Sequence, residues 1–331
     1  MAVSIKDIQK LREMTGAGLA DCKKALEESE GNIDAAIEII RKKGQAVAAK
    51  RSDREASEGC VVVKADGNFA AIIALKCETD FVANNADFVK LTQDILDAAV
   101  AARCKTLDEV KALPMGDGTI QDAVVARSGI TGEKMELDGY SVIEGECIAT
   151  YDHQNKHTLC TMVALNKCVE DAMAGKNVAM QIASANPVAV DQSAVPQATI
   201  DSELRVAIEK TKEEQIQKAV EAAIRKAGVN PAHVDSDDHI ESNMAKGWIT
   251  PEQAQMVREL KVKVAEEKAA NLPEQMIQNI AQGRLKKFFK ESCLLEQEYI
   301  WDKNQTVAQY LHSVDKELTV TAFRRFTLRA E

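Results

Sequence analysis

The pair Asp66-Gly67, set between two apolar runs, constrains this chain more than any other feature. Cys60-Val61-Val62-Val63-Lys64-Ala65 precedes it, and an apolar run over 68–75 follows it. Asp-Gly favours a tight turn because glycine enters left-handed backbone without steric cost, and such turns match the twist of paired strands. A β-hairpin is therefore expected over 60–75. Helical spacing appears on both sides of it, which points to a mixed fold of the α+β class.

Residues 1–55 read as a compact three-helix module. Ser4-Ile5-Lys6-Asp7 is a capping-box variant with Asp where Glu or Gln is usual, and Ile5, Ile8 and Leu11 follow at helical spacing. Thr15-Gly16-Ala17-Gly18 breaks that helix. Leu19, Cys22, Ala25 and Leu26 form a second stripe. After the turn at Gly31-Asn32, Ile33, Ala36, Ile37 and Ile40 form a third, expected to stop near Gly44.

Beyond the hairpin, Phe88, Leu91, Ile95 and Leu96 share one helix face, and 119–127 is helical, running into an expected loop at Gly129-Ile130-Thr131-Gly132-Glu133. A looser copy of the hairpin-plus-helix pattern begins at Gly145, with strands over 147–151 and 158–165 and a helix over 178–185. Two related α+β subdomains are expected. Residues 200–270 then turn to Glu- and Lys-rich helix with a narrow apolar seam, interrupted by a polar break over 228–247. Thr250-Pro251-Glu252-Gln253 opens its second arm, with Pro at the first helical position. A coiled-coil-like helical hairpin results, either a homodimer contact or a projecting arm. Pro273 opens a further helix, and 319–328 returns to strand.

Over 331 residues the net charge is −10, which argues against a nucleic-acid partner, since such affinity rests on clustered Lys and Arg. Arg41-Lys42-Lys43 and Lys50-Arg51 read as solvated helix faces. Aromatics are only 4% of the chain, so the cores must come mainly from Ala, Val, Ile and Leu. No apolar run approaches bilayer length, and Met1-Ala2-Val3-Ser4-Ile5-Lys6 lacks the character of a targeting segment. The eight cysteines never form a Cys-x-x-Cys pair and read as reduced apolar residues. A protein partner and a cytoplasmic location are expected, with no membrane contact.

Catalytic chemistry is not apparent. No Gly-x-x-x-x-Gly-Lys-Ser/Thr loop occurs, and Gly16-Ala17-Gly18 is too short for a dinucleotide fingerprint. His153 and His157 fall in an expected hairpin loop, and His233-Val234-Asp235-Ser236-Asp237-Asp238-His239 reads as a solvated turn more readily than as a cation site. No cofactor, metal or covalent reaction is expected.

The tetrad Thr79-Asp80-Phe81-Val82 lies between the first hairpin and its helix. Spacing alone allows Phe81 to fold back as the first core residue of the helix, as aromatics usually do. The matching connection of the second copy, Asn166-Lys167-Cys168-Val169, manages without an aromatic, which weakens that reading.

These residues resemble the bacterial elongation factor Ts family. Leu11-Arg12-Glu13-Met14-Thr15-Gly16-Ala17-Gly18 with Asp21-Cys22-Lys23-Lys24-Ala25-Leu26 is similar to its N-terminal signature, Thr79-Asp80-Phe81-Val82-Ala83 to its second, and Gly283-Arg284-Leu285-Lys286-Lys287-Phe288 through Thr306-Val307 to its C-terminal core. The resemblance implies a ubiquitin-associated-like domain at 1–55, core subdomains at 56–140 and at 141–190 with 283–331, and an inserted helical hairpin region at 191–282. The core sheets would be antiparallel.

It also implies a guanine-nucleotide exchange factor for elongation factor Tu, binding both its GDP-bound and nucleotide-free forms. Phe81 would enter between helices of the partner's G domain and Asp80 would disturb its Mg²⁺ site, with Thr79 and Val82 shaping the tip. Gly132 and Glu133 would approach the phosphate-binding loop, and Arg12, Leu19 and Ala20 a G-domain helix. The bland alternatives are a solvated helix charge for Arg12 and the module's own core for Leu19. Two departures from the family pattern are a longer insertion and the lack of a helical C-terminal extension after Glu331. A passive adaptor without exchange activity is the competing class.

Overall fold

The structure, a computed structural model, describes residues 3–328. Met1, Ala2 and residues 329–331, which include the start of the segment read for targeting and the chain end read for an extension, lie outside the described residues. The chain forms two compact units, Met1–Val190 with Gln297–Glu331, and Asp191–Glu296.

The first unit opens with α1 (Ile5–Thr15), α2 (Leu19–Glu28) and α3 (Ile33–Lys50). Ser4 caps α1 by accepting from the Asp7 backbone, and Gly16 at φ +70 closes it in the left-handed conformation. Leu11, Cys22, Ala25, Leu26 and Ala36 form the module's core. Leu19 is not part of it: it is 53% exposed, because α2 turns Cys22, Ala25 and Leu26 inward. The helix also does not stop at Gly44. It runs on to Lys50, and Gly44 is buried where α3 crosses a later helix. A side chain at Gly129 would begin 2.4 Å from the Gly44 Cα, so the glycine permits close backbone approach instead of ending the helix.

The expected hairpin is β1 (Glu58–Asp66) with β2 (Phe69–Cys77), paired from Glu58↔Cys77 to Asp66↔Phe69 across a two-residue loop in which Gly67 takes φ +58. Then come α4 (Asp80–Ala83), α5 (Ala86–Ala101), α6 (Leu107–Ala112), the short pair β3 (Pro114–Met115) and β4 (Gly118–Thr119), α7 (Ile120–Thr131) and β5 (Glu136–Glu144). The expected loop at 129–133 is helical as far as Thr131, because Gly132 at φ +73, not Gly129, provides the C-cap. β5 is an element the helical and hairpin signals did not suggest. It completes an antiparallel sheet of order β1-β2-β5.

The second copy contains β6 (Cys147–Asp152), β7 (Leu159–Leu165) and α8 (Met173–Ala185). After the other unit the chain returns through β8 (Glu298–Tyr299), β9 (Asp302–Thr306), α13 (Val307–Val314) and β10 (Val320–Thr327). The second sheet has order β10-β7-β6. In both sheets, therefore, the second hairpin strand is central and a later strand joins its free edge. Val61, Ala70, Ile72, Ala74, Cys160, Met162 and Ala164 pack between the sheets. Ala71, Ile73 and Leu75 point the other way, to Phe88, Ile95 and Leu96 of α5. With both faces covered, β2 is apolar throughout instead of alternating.

The unit Asp191–Glu296 holds α9 (Gln197–Lys226), α10 (Asp237–Ala245), α11 (Pro251–Ala270) and α12 (Glu274–Ser292). It is more than a helical hairpin. The expected polar break contains α10, whose Ile240 joins Val220, Ile224, Val234, Ala254 and Val257 in a separate core. α12 belongs to this unit, and Arg284 pairs with Glu214 of α9 at 2.7 Å, so the chain re-enters the first unit at Gln297 rather than at 283.

Candidate functional site

The tetrad forms a single helical turn between β2 and α5. Thr79 is extended at φ −126, ψ 152 and caps α4, its side chain accepting from the Val82 backbone. Asn84 then turns the chain, and Asn85 caps α5 by accepting from Asp87 and Phe88. A four-residue turn has room to bury only one side. Ala83 enters the core and Val82 packs against it, which leaves Asp80 and Phe81 on the outside. Phe81 is 85% exposed, whereas Phe88, one helix later, is wholly buried. Full burial of a phenylalanine contributes roughly 1.5–3 kcal/mol, and Phe81 forgoes it.

A single exposed apolar residue is ordinary; what sets this one apart is its support. The Glu133 carboxylate lies beneath the tip. Its Oε2 accepts from the backbone N–H groups of Glu78 and Thr79, each at 3.1 Å, and its Oε1 from the Thr79 hydroxyl at 2.6 Å. The Thr79 hydroxyl thus donates to Glu133 while accepting from Val82, which uses both of its capacities. Gly132 makes this possible by reversing the chain at the end of α7.

Glu78 forms the reciprocal half of the clamp. Its carboxylate accepts from the Lys134 backbone at 2.6 Å, from Arg51 at 3.0 Å and from Arg54 at 2.9 Å. The Lys134 N–H first, then the two guanidinium groups, pull its pKa down to about 2, against the cost of desolvation. Hydrogen bonds to charged groups contribute about 1.5–3 kcal/mol each. The base of the tip is therefore fastened to the end of α3 and the end of α7. Cys77 adds a weak bond to the Thr79 carbonyl.

The structure brings Thr79, Asp80, Phe81, Val82, Gly132 and Glu133 together. Arg12, Leu19 and Ala20 are all exposed, on α1 and the start of α2, and among the described residues no hydrogen bond or ion pair links them to the tip. Glu78, Arg51 and Arg54 were not anticipated from the sequence. Glu78 directly precedes the tetrad, but nothing in residue spacing signals its pairing with arginines 24 and 27 positions away. His157 pairs with Asp152, and His239 with Asp235. Among the described residues no three His, Cys, Asp or Glu side chains gather as a metal site, and no helix is long and apolar enough to cross a membrane.

A family model described as Elongation factor TS matches residues 78–231 and 206–330. Elongation factor Ts of Bacteroides thetaiotaomicron is 66% identical over 331 residues, covering all of both chains. The proteins of that name from Porphyromonas gingivalis and Azobacteroides pseudotrichonymphae are 45% and 35% identical, again over the full length of each chain. The long insertion thus lies within the aligned length of these relatives. With a family match reaching from the tip to the last described strand, and full-length identity well above chance, the chain belongs to the elongation factor Ts family.

Proposed function

We propose that this chain is a guanine-nucleotide exchange factor that acts on elongation factor Tu without covalent chemistry of its own. The observation that carries this reading is an exposed Asp80-Phe81 tip on a base held by two carboxylates, in a member of this family. In a GTPase, Mg²⁺ bridges phosphate oxygens and protein ligands. A factor that binds the nucleotide-free partner more tightly than the loaded one must weaken nucleotide binding by the same factor. A coupling of roughly 4 kcal/mol corresponds to about a thousandfold change in affinity. Insertion of the Phe81 ring between helices near the Mg²⁺ site recovers the burial that the free protein forgoes, and that recovery is available only in the complex.

In this reading Asp80 disturbs the Mg²⁺ environment and Val82 anchors the tip. Thr79 and Glu133 hold its orientation, so that little ordering remains to oppose binding. Gly132 sets the loop beneath them. Arg12, Leu19 and Ala20 form a further contact through the three-helix module. Release of labelled GDP from elongation factor Tu tests the proposal. Acceleration that saturates with added protein supports it; binding with an unchanged release rate favours a passive adaptor instead.

A further inference from the structure

Of the eight cysteines, Cys22, Cys60, Cys77, Cys104, Cys160 and Cys293 are buried. The two with access to solvent, partly buried Cys147 and exposed Cys168, are neighbours in space. Cys147 opens β6 and pairs with Leu165, the last residue of β7. Past Leu165 the chain bends, and Cys168 returns across the strand end with its Sγ 3.6 Å from the carbonyl oxygen of Glu146. Cys168 is thereby set against the residue that directly precedes Cys147, at the strand end where Cys147 sits. The bend is held in place: Asn166 accepts from the Thr319 backbone at 2.9 Å and donates to the Glu317 carbonyl at 2.9 Å.

We propose that Cys147 and Cys168 form a redox modification site, closed to an intramolecular disulfide by a hydroperoxide and reopened by thiol reductants. Exposure makes Cys168 the sulfur that meets the oxidant. Burial first, and the neighbouring Cys168 after it, push the Cys147 thiol up to about 11, which leaves Cys147 as the resolving sulfur. The Cys168 thiolate attacks one oxygen of hydrogen peroxide and the O–O bond breaks. The product is a sulfenic acid, and the departing hydroxide takes up a proton to become water. The Cys147 sulfur, giving up its proton, then attacks the Cys168 sulfur. The S–O bond breaks, a second water leaves and the S–S bond forms. In sum, two thiols are oxidised and one peroxide is reduced to two waters. Closure to about 2.05 Å needs movement of Cys168, which lies outside regular secondary structure. Exchange with an external thiol reverses the step.

The test uses the full chain, reduced and then treated with hydrogen peroxide, alkylated without denaturation and mapped by peptide mass spectrometry. Two thiols are expected to react with maleimide before oxidation and none after it. A linked peptide joining Cys147 to Cys168 should appear and vanish with dithiothreitol. Cys168→Ser should abolish the linked peptide and leave Cys147 reactive. Cys147→Ser should halt Cys168 at a dimedone-trappable sulfenic acid. Oxidation of Cys168 to sulfinic acid with no linked peptide, or links found only between molecules or to a buried cysteine, would overturn the proposal.

Discussion

After β2 the chain makes one helical turn whose base is held from two other parts of the molecule, by Glu133 beyond α7 and by Arg51 and Arg54 beyond α3. After β7 it makes an irregular bend over 166–172, tied by Asn166 and Lys167 to the segment that leads into β10. The two connections follow the same kind of hairpin, and each leads to a helix packed on it. Only the first presents an aromatic ring to solvent. The second buries nothing comparable and shows nothing comparable. Both connections are tied to the segment that leads into the third strand of their sheet, but the first is also braced by Arg51 and Arg54 beyond α3. The difference teaches that projecting a large apolar side chain goes with a brace from outside the sheet that carries it. An unbraced Phe81 would gain by folding back against the core.

The sharpest contrast within the first connection is between its two phenylalanines. Phe88→Ala should cost about 3–5 kcal/mol of stability, as expected for a buried ring, measured by denaturant unfolding. Phe81→Ala should leave stability within about 0.5 kcal/mol while slowing GDP release from elongation factor Tu by roughly 30-fold or more, the effect of losing an interface anchor worth 2 kcal/mol or above. Unfolding of that variant would make Phe81 a core residue and break the comparison.

Support is tested next. Gly129→Ala places a methyl group on the Gly44 backbone, and strain from overpacking should cost about 1–3 kcal/mol by loosening the crossing of α3 and α7 that sets both ends of the clamp. Glu133→Gln keeps the shape but weakens the charge-assisted bonds to Glu78 and Thr79. A stability loss of about 1 kcal/mol should accompany a severalfold drop in exchange that exceeds any loss in an Asn166→Ala variant of the second connection. Equal effects from the two variants would show that the brace has no special bearing on the tip.

The last contrast concerns pH. Because the folded-state pKa of Glu78 is depressed to about 2 from 4.5, its contribution is fully present above the unfolded value and is lost as pH falls through the folded one. Glu78→Gln should therefore be less stable than the parent protein at neutral pH. The gap between them should narrow from about pH 4.5 downward and close near pH 2. A gap that stays constant over this range would show that the Glu78 charge contributes nothing.

Much of the fold was legible because its signals act within a few residues. Ser4 caps the helix it was expected to cap, Pro251 takes the first position of its helix, and Asp66-Gly67 sits at the hairpin it marked. β5 was missed because Gly139 interrupts its alternation; that glycine is needed where the Phe326 ring lies 2.4 Å from the position of a Cβ. Gly44 and Gly129 were read as helix breakers for the same reason, since a glycine that admits a close crossing and one that ends a helix look alike in a sequence. α10 was hidden by the Asp-rich segment that supplies its first turn.

The sequence by itself determined the α+β class, the caps and hairpins, the tetrad and its family, since these rest on local backbone preference and on residue identity. Tertiary structure decided that Phe81 faces solvent, that Leu19 leaves its module's core and that Cys168 lies against the Glu146 carbonyl, beside Cys147. Those outcomes depend on pairings between residues far apart in the chain, such as Thr79 with Glu133 and Arg51 with Glu78. Their free energy comes from distances and burial that no periodicity encodes.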